Sequence, residues 1–212
     1  MVTTIALTGA TGGTGKAFLK QALDAGYELK VLVRDPKKLD LSHSKLTIIK
    51  GDVLNPKDVH ALVENTDLVV SLFGHVKGSP EGLQTEGTKN LIEAMKDFGV
   101  SRIISLSGGG LPFPEKDKPG FPDRMIRTIM KLFFNKILSD AINHAKLLAQ
   151  SDRRWVIVRG PRLTNGEKRG TYRVGWVGVN AGTSISRADL ADFILQQVER
   201  DEFTFQMPFV SY

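Results

Sequence analysis

Short apolar, often β-branched runs alternate with helical stretches along most of the 212 residues. The runs at 2–7, 28–33, 46–50, 67–72, 102–106 and 155–159 read as strands buried on both faces. Parallel strands covered by helices lose the polar alternation of a half-exposed sheet. Between them, helical periodicity predicts a helix at 16–25, where Phe18, Leu19, Ala22 and Leu23 share a face, and others at 56–63, 87–98, 123–150 and 187–200. Residues 203–210 fit a last strand. Ser186 and Asp189 stand at capping-box spacing, and Asp35-Pro36 reads as an N-cap followed by a first helical residue. The alternation predicts an α/β fold, a doubly wound parallel sheet with helices on both faces joined by right-handed crossovers. No repeat, low-complexity tract or long linker divides the chain, so a single domain over residues 1–212 is expected.

One stretch breaks the regularity. Gly108-Gly109-Gly110 and the prolines at 112, 114, 119 and 122 make residues 108–122 too rich in turn formers for regular structure. The stretch leaves the fifth strand at the edge where doubly wound sheets hold ligands. It is therefore expected to be a mobile lid over a substrate site built mainly from residues 107–185. The helical stretch after it carries Met125, Ile126, Ile129, Met130, Leu132, Phe133, Phe134, Ile137 and Leu138 beside Arg124, Arg127, Lys131 and Lys136. That composition suits a membrane-surface amphipath or a helix packed on a sheet. The packed helix, supplying a pocket edge or a dimer contact, is the expectation.

Composition excludes more than it selects. Without cysteine the chain has no disulfide, thiol catalysis or cysteine-held metal. His43, His60, His75 and His144 show no metal spacing, and each is expected to be a surface or locally satisfied residue, so no metal is expected. No apolar run nears the roughly 20 residues that span a bilayer, and the first strand starts too early for a leader. A soluble cytoplasmic protein, monomeric or a small homo-oligomer, is expected. The formal net charge is +6, but its basic residues are scattered and no helix-turn-helix or zinc-finger pattern accompanies them. The charge therefore points to a phosphate-rich small molecule rather than to nucleic acid.

The sharpest chemical signal is Thr8-Gly9-Ala10-Thr11-Gly12-Gly13-Thr14-Gly15, between the first strand and the first helix. Gly9, Gly12 and Gly15 follow a G-x-x-G-x-x-G spacing. In this context the first glycine permits a tight turn, the second lets the backbone approach phosphates, and the third lets the helix pack closely. The result is a dinucleotide pyrophosphate site at a helix N-terminus. A nucleoside-triphosphatase loop is excluded by Ala10, where its first glycine belongs, and by Ala17, where its hydroxyl belongs.

The second strand ends on Arg34, 19 residues past Gly15, where this fold meets the adenosine ribose. A carboxylate there suits NAD. A guanidinium, with Lys37 and Lys38 close by, suits the 2′-phosphate of NADP(H), and capping accounts for Asp35. Gly51-Asp52-Val53 puts an acceptor after the third strand, where an adenine amino group lies. Ser71-Leu72-Phe73-Gly74, after the fourth, runs along the ribose and nicotinamide.

Together with residues 86–95 and Gly99-Val100, these segments resemble the atypical short-chain dehydrogenase/reductases. Within that family they resemble the NAD(P)H-dependent flavin (biliverdin-IXβ) reductases and the NmrA-like proteins, and the similarity runs on to residues 185–190. The resemblance implies a Rossmann domain that uses NADPH to reduce flavins, quinones or similar conjugated acceptors. By it, cofactor positions fall on Gly9, Thr11, Gly12, Gly13, Thr14, Gly15, Arg34, Asp52, Val53, Leu72, Phe73 and Gly74. Others fall on Ser107 and Gly108 at the end of the fifth strand, and on Pro161 and Leu163 after the sixth. In the same reading Ser107 donates a hydrogen bond near the nicotinamide or acceptor, Arg162 offsets negative charge, and Lys146 orients the ribose.

The chain departs from the family in ways that bear on its chemistry. Around Lys146 it reads Ile142-Asn143-His144-Ala145-Lys146, so the tyrosine of Tyr-x-x-x-Lys is missing. Carbonyl–alcohol interconversion, which needs that strong acid, is disfavoured, as is sugar-nucleotide epimerase or dehydratase chemistry. Gly108 and Arg162 stand where the flavin reductases have serine and histidine. The expected activity is hydride transfer to an acceptor that takes its proton from water. The alternative is an NmrA-like NADP(H) sensor that regulates a partner without turnover.

Overall fold

A computed structural model describes residues 3–212, so Val2 of the expected first strand lies outside the described residues. The first half runs β1 (Thr4–Thr8), α1 (Gly13–Asp24), β2 (Glu28–Val33), β3 (Leu46–Lys50), α2 (Pro56–Val63), β4 (Leu68–Ser71) and α3 (Leu83–Asp97). The second half runs β5 (Arg102–Gly108), α4 (Phe121–Phe133), α5 (Asn135–Gln150), β6 (Arg154–Gly160), β7 (Arg162–Thr164), β8 (Arg173–Gly175), β9 (Ser184–Ser186), α6 (Arg187–Gln196) and β10 (Phe209–Ser211).

Eight strands form one sheet in the order β3-β2-β1-β4-β5-β6-β10-β8, and β7 and β9 make a separate pair. Neighbours are parallel from β3 to β10, and β8 runs antiparallel on β10. The order reverses between β1 and β4, the switch point beside which open α/β sheets bind ligands. Each sheet face has its own core. One joins Phe18 and Leu19 of α1 to Leu190 and Ile194 of α6. The other joins Leu62 of α2, Leu91 and Met95 of α3, and Leu148 of α5. Ile104 of β5 belongs to the first core and Ile103 to the second. Ser105 and Ser107, in phase with Ile103, therefore face α3 and α5.

Local signals explain several element ends. Asp35 accepts the Lys37 N–H at 3.2 Å, and Pro36 opens a 3-10 turn. Ser186 caps α6 by accepting the Asp189 N–H at 3.0 Å. Asp189 does not complete a capping box. Its buried carboxylate instead accepts the N–H groups of Arg169 and Gly170 and the Tyr212 hydroxyl, fastening a distant loop and the C-terminus to α6.

The structure corrects four further sequence expectations. Residues 123–150 are two helices, because the chain leaves helical geometry at Phe134 (φ −130°, ψ 30°). In the tail 203–210, Phe205 turns back at φ 62°, so the strand is interrupted: Gln206 makes an isolated parallel bridge to Val156 of β6, and regular pairing with β6 and β8 is made only by β10. The 108–122 segment is a fastened strap rather than a free lid, with Leu111 and Phe113 buried. Its Asp117, 2% exposed, takes the guanidinium of fully buried Arg159 through two bonds of 2.8 and 2.9 Å. Asp117 also accepts the N–H groups of Phe113 and Val177. Finally, α4 does not pack on the sheet, and none of its residues is buried.

Candidate functional site

β1 delivers the chain into a turn at Gly9, whose φ is 79°. A Cβ there would stand 2.4 Å from the Leu72 carbonyl carbon, so the absence of a side chain is what lets the ends of β1 and β4 meet. The Gly12 N–H donates to the Gly9 carbonyl at 3.0 Å, and Gly12 becomes the N-cap of α1. No side chain caps this helix, and its first turn holds no acidic residue. The N–H groups of Gly13, Thr14 and Gly15 thus have no intrahelical partner, and the positive end of the helix dipole adds to them.

A cavity of about 340 Å³ opens at this switch point. It brings together Gly9, Thr11, Gly12, Arg34, Asp52, Val53, Leu72, Phe73 and Gly74, with Lys38, Val76 and Leu83 also in its wall. Gly13, Thr14 and Gly15 begin α1 directly behind Gly12. The wall is braced from α3: Asn90 Nδ2 donates to the Val53 carbonyl at 2.9 Å, and the Phe73 ring closes on Gly87. Asp52 Oδ1 accepts the Leu54 N–H at 3.0 Å.

The remaining expected residues lie outside this cavity. Register pairs Ser107 with Arg159 and Gly108 with Gly160, so β5 and β6 end side by side, and Pro161, Arg162 and Leu163 continue from that edge. Ser107 is buried and Arg162 is exposed at the start of β7. Lys146 lies exposed on α5, whose Ala141, Ala145 and Leu148 turn inward.

Among the side chains that α5 sends inward is His144. It lies between Thr88 Oγ1 at 2.7 Å and Ser105 Oγ at 3.1 Å. Burial pushes its pKa down from the ordinary 6.5 to about 4, so the ring is neutral. The folded value lies below the unfolded one, so the unfolded chain binds this proton first as pH falls. The stability at stake is intact above about pH 6.5 and is lost toward pH 4, by about 3 kcal/mol. Urea unfolding at a series of pH values is expected to show that loss, and His144→Gln is expected to flatten this part of the curve.

Two further features escape a motif reading. The Arg187 side chain crosses Gly13, its Cδ 2.6 Å from where a Gly13 Cβ would stand, and it donates to Asn165 Oδ1 at 2.6 Å. Asp140 of α5 caps α3 from outside, accepting the N–H groups of Gln84 and Thr85 at 2.8 and 2.9 Å and contacting His75 Nε2 at 2.6 Å. Burial pushes the Asp140 carboxyl up. The Thr85 hydroxyl, the two N–H groups and His75 together outweigh that and hold it below its ordinary value. His75 is thereby fixed between the cavity-lining Gly74 and Val76. Proline at 122 or glycine at 9 announces itself in a sequence; a carboxylate bound 65 residues from its histidine does not.

A family model described as NAD(P)H-binding matches residues 9–201. The uncharacterized protein YwnB of Bacillus subtilis is 28% identical over 93% of this chain and 93% of its own. A wide-type short-chain dehydrogenase/reductase of Veillonella parvula, solved in complex with NADP, superposes with a TM-score of 0.78 at 17% identity, covering 100% of this chain and 95% of that one. ChuY, an anaerobillin reductase from Escherichia coli O157:H7, gives 0.79 at 18% identity over 99% and 97%. At these identities the two structures share with this chain its fold, the doubly wound α/β architecture.

Proposed function

The chain belongs to the NAD(P)H-binding family of oxidoreductases, and from that premise we propose that it passes hydride from NADPH to a flavin, quinone or similar conjugated acceptor. One observation carries the reading: a single cavity holds the uncapped start of α1, the cations Arg34 and Lys38, and the Asp52 carboxylate. An elongated molecule with a pyrophosphate, a phosphorylated ribose and an adenine matches those three features in kind.

In this proposal the N–H groups of the first turn of α1, with Arg187 beside Gly13, hold the pyrophosphate. Arg34 and Lys38 take the 2′-phosphate, since a forked guanidinium suits phosphate oxygens. Asp52 and Val53 receive the adenine, and Leu72, Phe73 and Gly74 line the path of the ribose toward the nicotinamide. Bound NADPH supplies the hydride. The chain's task at the far end is positioning: Ser107 offers a hydroxyl, Gly108, Pro161 and Leu163 border the acceptor, and Arg162 offsets its negative charge. The acceptor's proton comes from water, so the missing tyrosine costs nothing. The elements beyond β5, residues 107–185, form the acceptor side.

Steady-state oxidation of NADPH and NADH with FMN, FAD and a soluble quinone tests the proposal. Turnover above the enzyme-free background is expected with at least one acceptor, with NADPH preferred. Arg34→Asp is expected to cut that preference by about 10- to 100-fold, the equivalent of one charge-assisted phosphate contact. Tight NADPH binding without turnover would favour the sensor alternative, and absence of binding would end both readings.

A further inference from the structure

We propose that α4 docks the protein onto an anionic lipid surface. The helix is amphipathic in the reverse sense to a packed one. Phe121, Met125, Ile129 and Leu132 follow one another at helical spacing, flanked by Ile126 and Phe133, and all of these face solvent. Phe121 is 80% exposed, Leu132 72% and Phe133 75%. Exposed apolar stretches of this extent on a chain mark a surface that meets something.

The polar arc is the side that meets the protein. Arg124 Nε donates to the Pro119 carbonyl at 3.2 Å, and Arg127 stands 3.8 Å from Asp117. Met130 is the apolar contact, its Cε 3.4 Å from where a Gly110 Cβ would stand. The strap that carries α4 is itself fastened by Asp117 and Arg159, so the helix is presented outward from an anchored base.

Charge decides which occupant fits. Residues 115–136 hold six basic and three acidic side chains. Of the acids, Asp117 is taken up by Arg159, and Asp123 holds the Gly120 N–H at 2.9 Å. Lys118, Arg124 and Lys131 remain exposed around the apolar arc. A second copy laid on this face would bring one basic rim against another, whereas an acyl layer under anionic headgroups accepts both the arc and the rim. No helix among the described residues is long and apolar enough to cross a membrane, so attachment is peripheral. Because α4 abuts Gly110, just past the end of β5, docking would turn that edge of the sheet toward the lipid.

The test is sedimentation of the full chain with two kinds of vesicle. One is phosphatidylcholine alone and the other contains about one-third phosphatidylglycerol, a fraction large enough to give a strongly negative surface. Binding to the anionic vesicles is expected, weakened by salt, with each removed charge costing about fivefold. Leu132→Glu with Phe133→Glu is expected to abolish it while leaving the circular dichroism spectrum and NADPH binding unchanged. Lys131→Gln is expected to weaken it about fivefold. No binding to either vesicle would overturn the proposal, as would equal binding to both. A stable dimer in analytical ultracentrifugation that Leu132→Glu dissociates would also overturn it, assigning the face to a second copy. The salt titration on the unmodified chain decides the matter even where a variant folds poorly.

Discussion

Gly15→Ala is expected to reduce dinucleotide affinity at least 100-fold and to destabilise the fold at the same time. A Cβ on Gly15 would stand 2.0 Å from the Gly9 carbonyl oxygen and 3.0 Å from the Ala10 Cα. Both are backbone atoms, and Gly9 cannot retreat, since its own missing Cβ is what allows contact with the Leu72 and Phe73 backbone. Helix propensity favours alanine by about 1 kcal/mol, and overpacking against fixed atoms costs about 1–3 kcal/mol or more. A net loss of about 2 kcal/mol is expected in urea unfolding. Shifting the first turn of α1 also misdirects its N–H donors, and losing two charge-assisted hydrogen bonds amounts to roughly 3–5 kcal/mol of binding. Gly12→Ala separates the two effects. Gly12 has φ −75° and ψ 163°, which any residue adopts, and its Cβ would meet only the Gly9 oxygen at 3.3 Å. That variant is expected to unfold like the unmodified chain yet to bind NADPH poorly in calorimetry, because its methyl group occupies the approach to the backbone. If Gly12→Ala binds normally, the pyrophosphate does not lie on this loop.

These contrasts show where a sequence reading succeeds and why it stops. The glycine turn, Arg34 at the end of β2 and the strand positions were legible because each depends on neighbours a few residues away or on simple periodicity. The cavity then gathers Gly9, Gly12, Arg34, Asp52 and Phe73, residues whose convergence follows from parallel strands ending at one edge. What was illegible is rotation and distance. The periodicity of α4 reveals an apolar arc but not whether anything covers it. On α5, Lys146 and His144 differ by two positions, and only the place of Thr88 on α3 decides which turns inward. Strap and sheet meet through Asp117 and Arg159, 42 residues apart, and no local pattern marks either one. The strap's glycines and prolines correctly forecast irregular backbone but not mobility, since a single buried carboxylate can fasten irregular chain as firmly as a ladder of hydrogen bonds.

Arg159→Met is expected to cost 3–5 kcal/mol in urea unfolding at neutral pH, the cost of leaving a buried carboxylate without its partner. The arginine is fully buried and donates four bonds: two to Asp117, one to the Leu111 carbonyl and one to the Met207 carbonyl, the last two both at 2.8 Å. Removing it strands two carbonyls as well as the carboxylate. Asp117→Asn keeps two acceptor–donor contacts and is expected to cost less. A buried ion pair is weak evidence of net stabilisation, because desolvating both partners offsets much of their attraction. The double variant Arg159→Met with Asp117→Leu is therefore expected to be more stable than the single Arg159→Met, and a double-mutant cycle measures the coupling. The local consequence is distinguishable from the global one. Lys116 is exposed on the strap, and in the unmodified chain the Phe113 and Val177 N–H groups are held by Asp117. Limited trypsin digestion under native conditions is expected to cut Arg159→Met after Lys116 well before global unfolding, and to leave the strap of the unmodified chain intact at this bond. If both proteins resist equally and the unfolding cost is under about 1 kcal/mol, burial of Leu111 and Phe113 alone fastens the strap, and the ion pair serves only to fill its own hole.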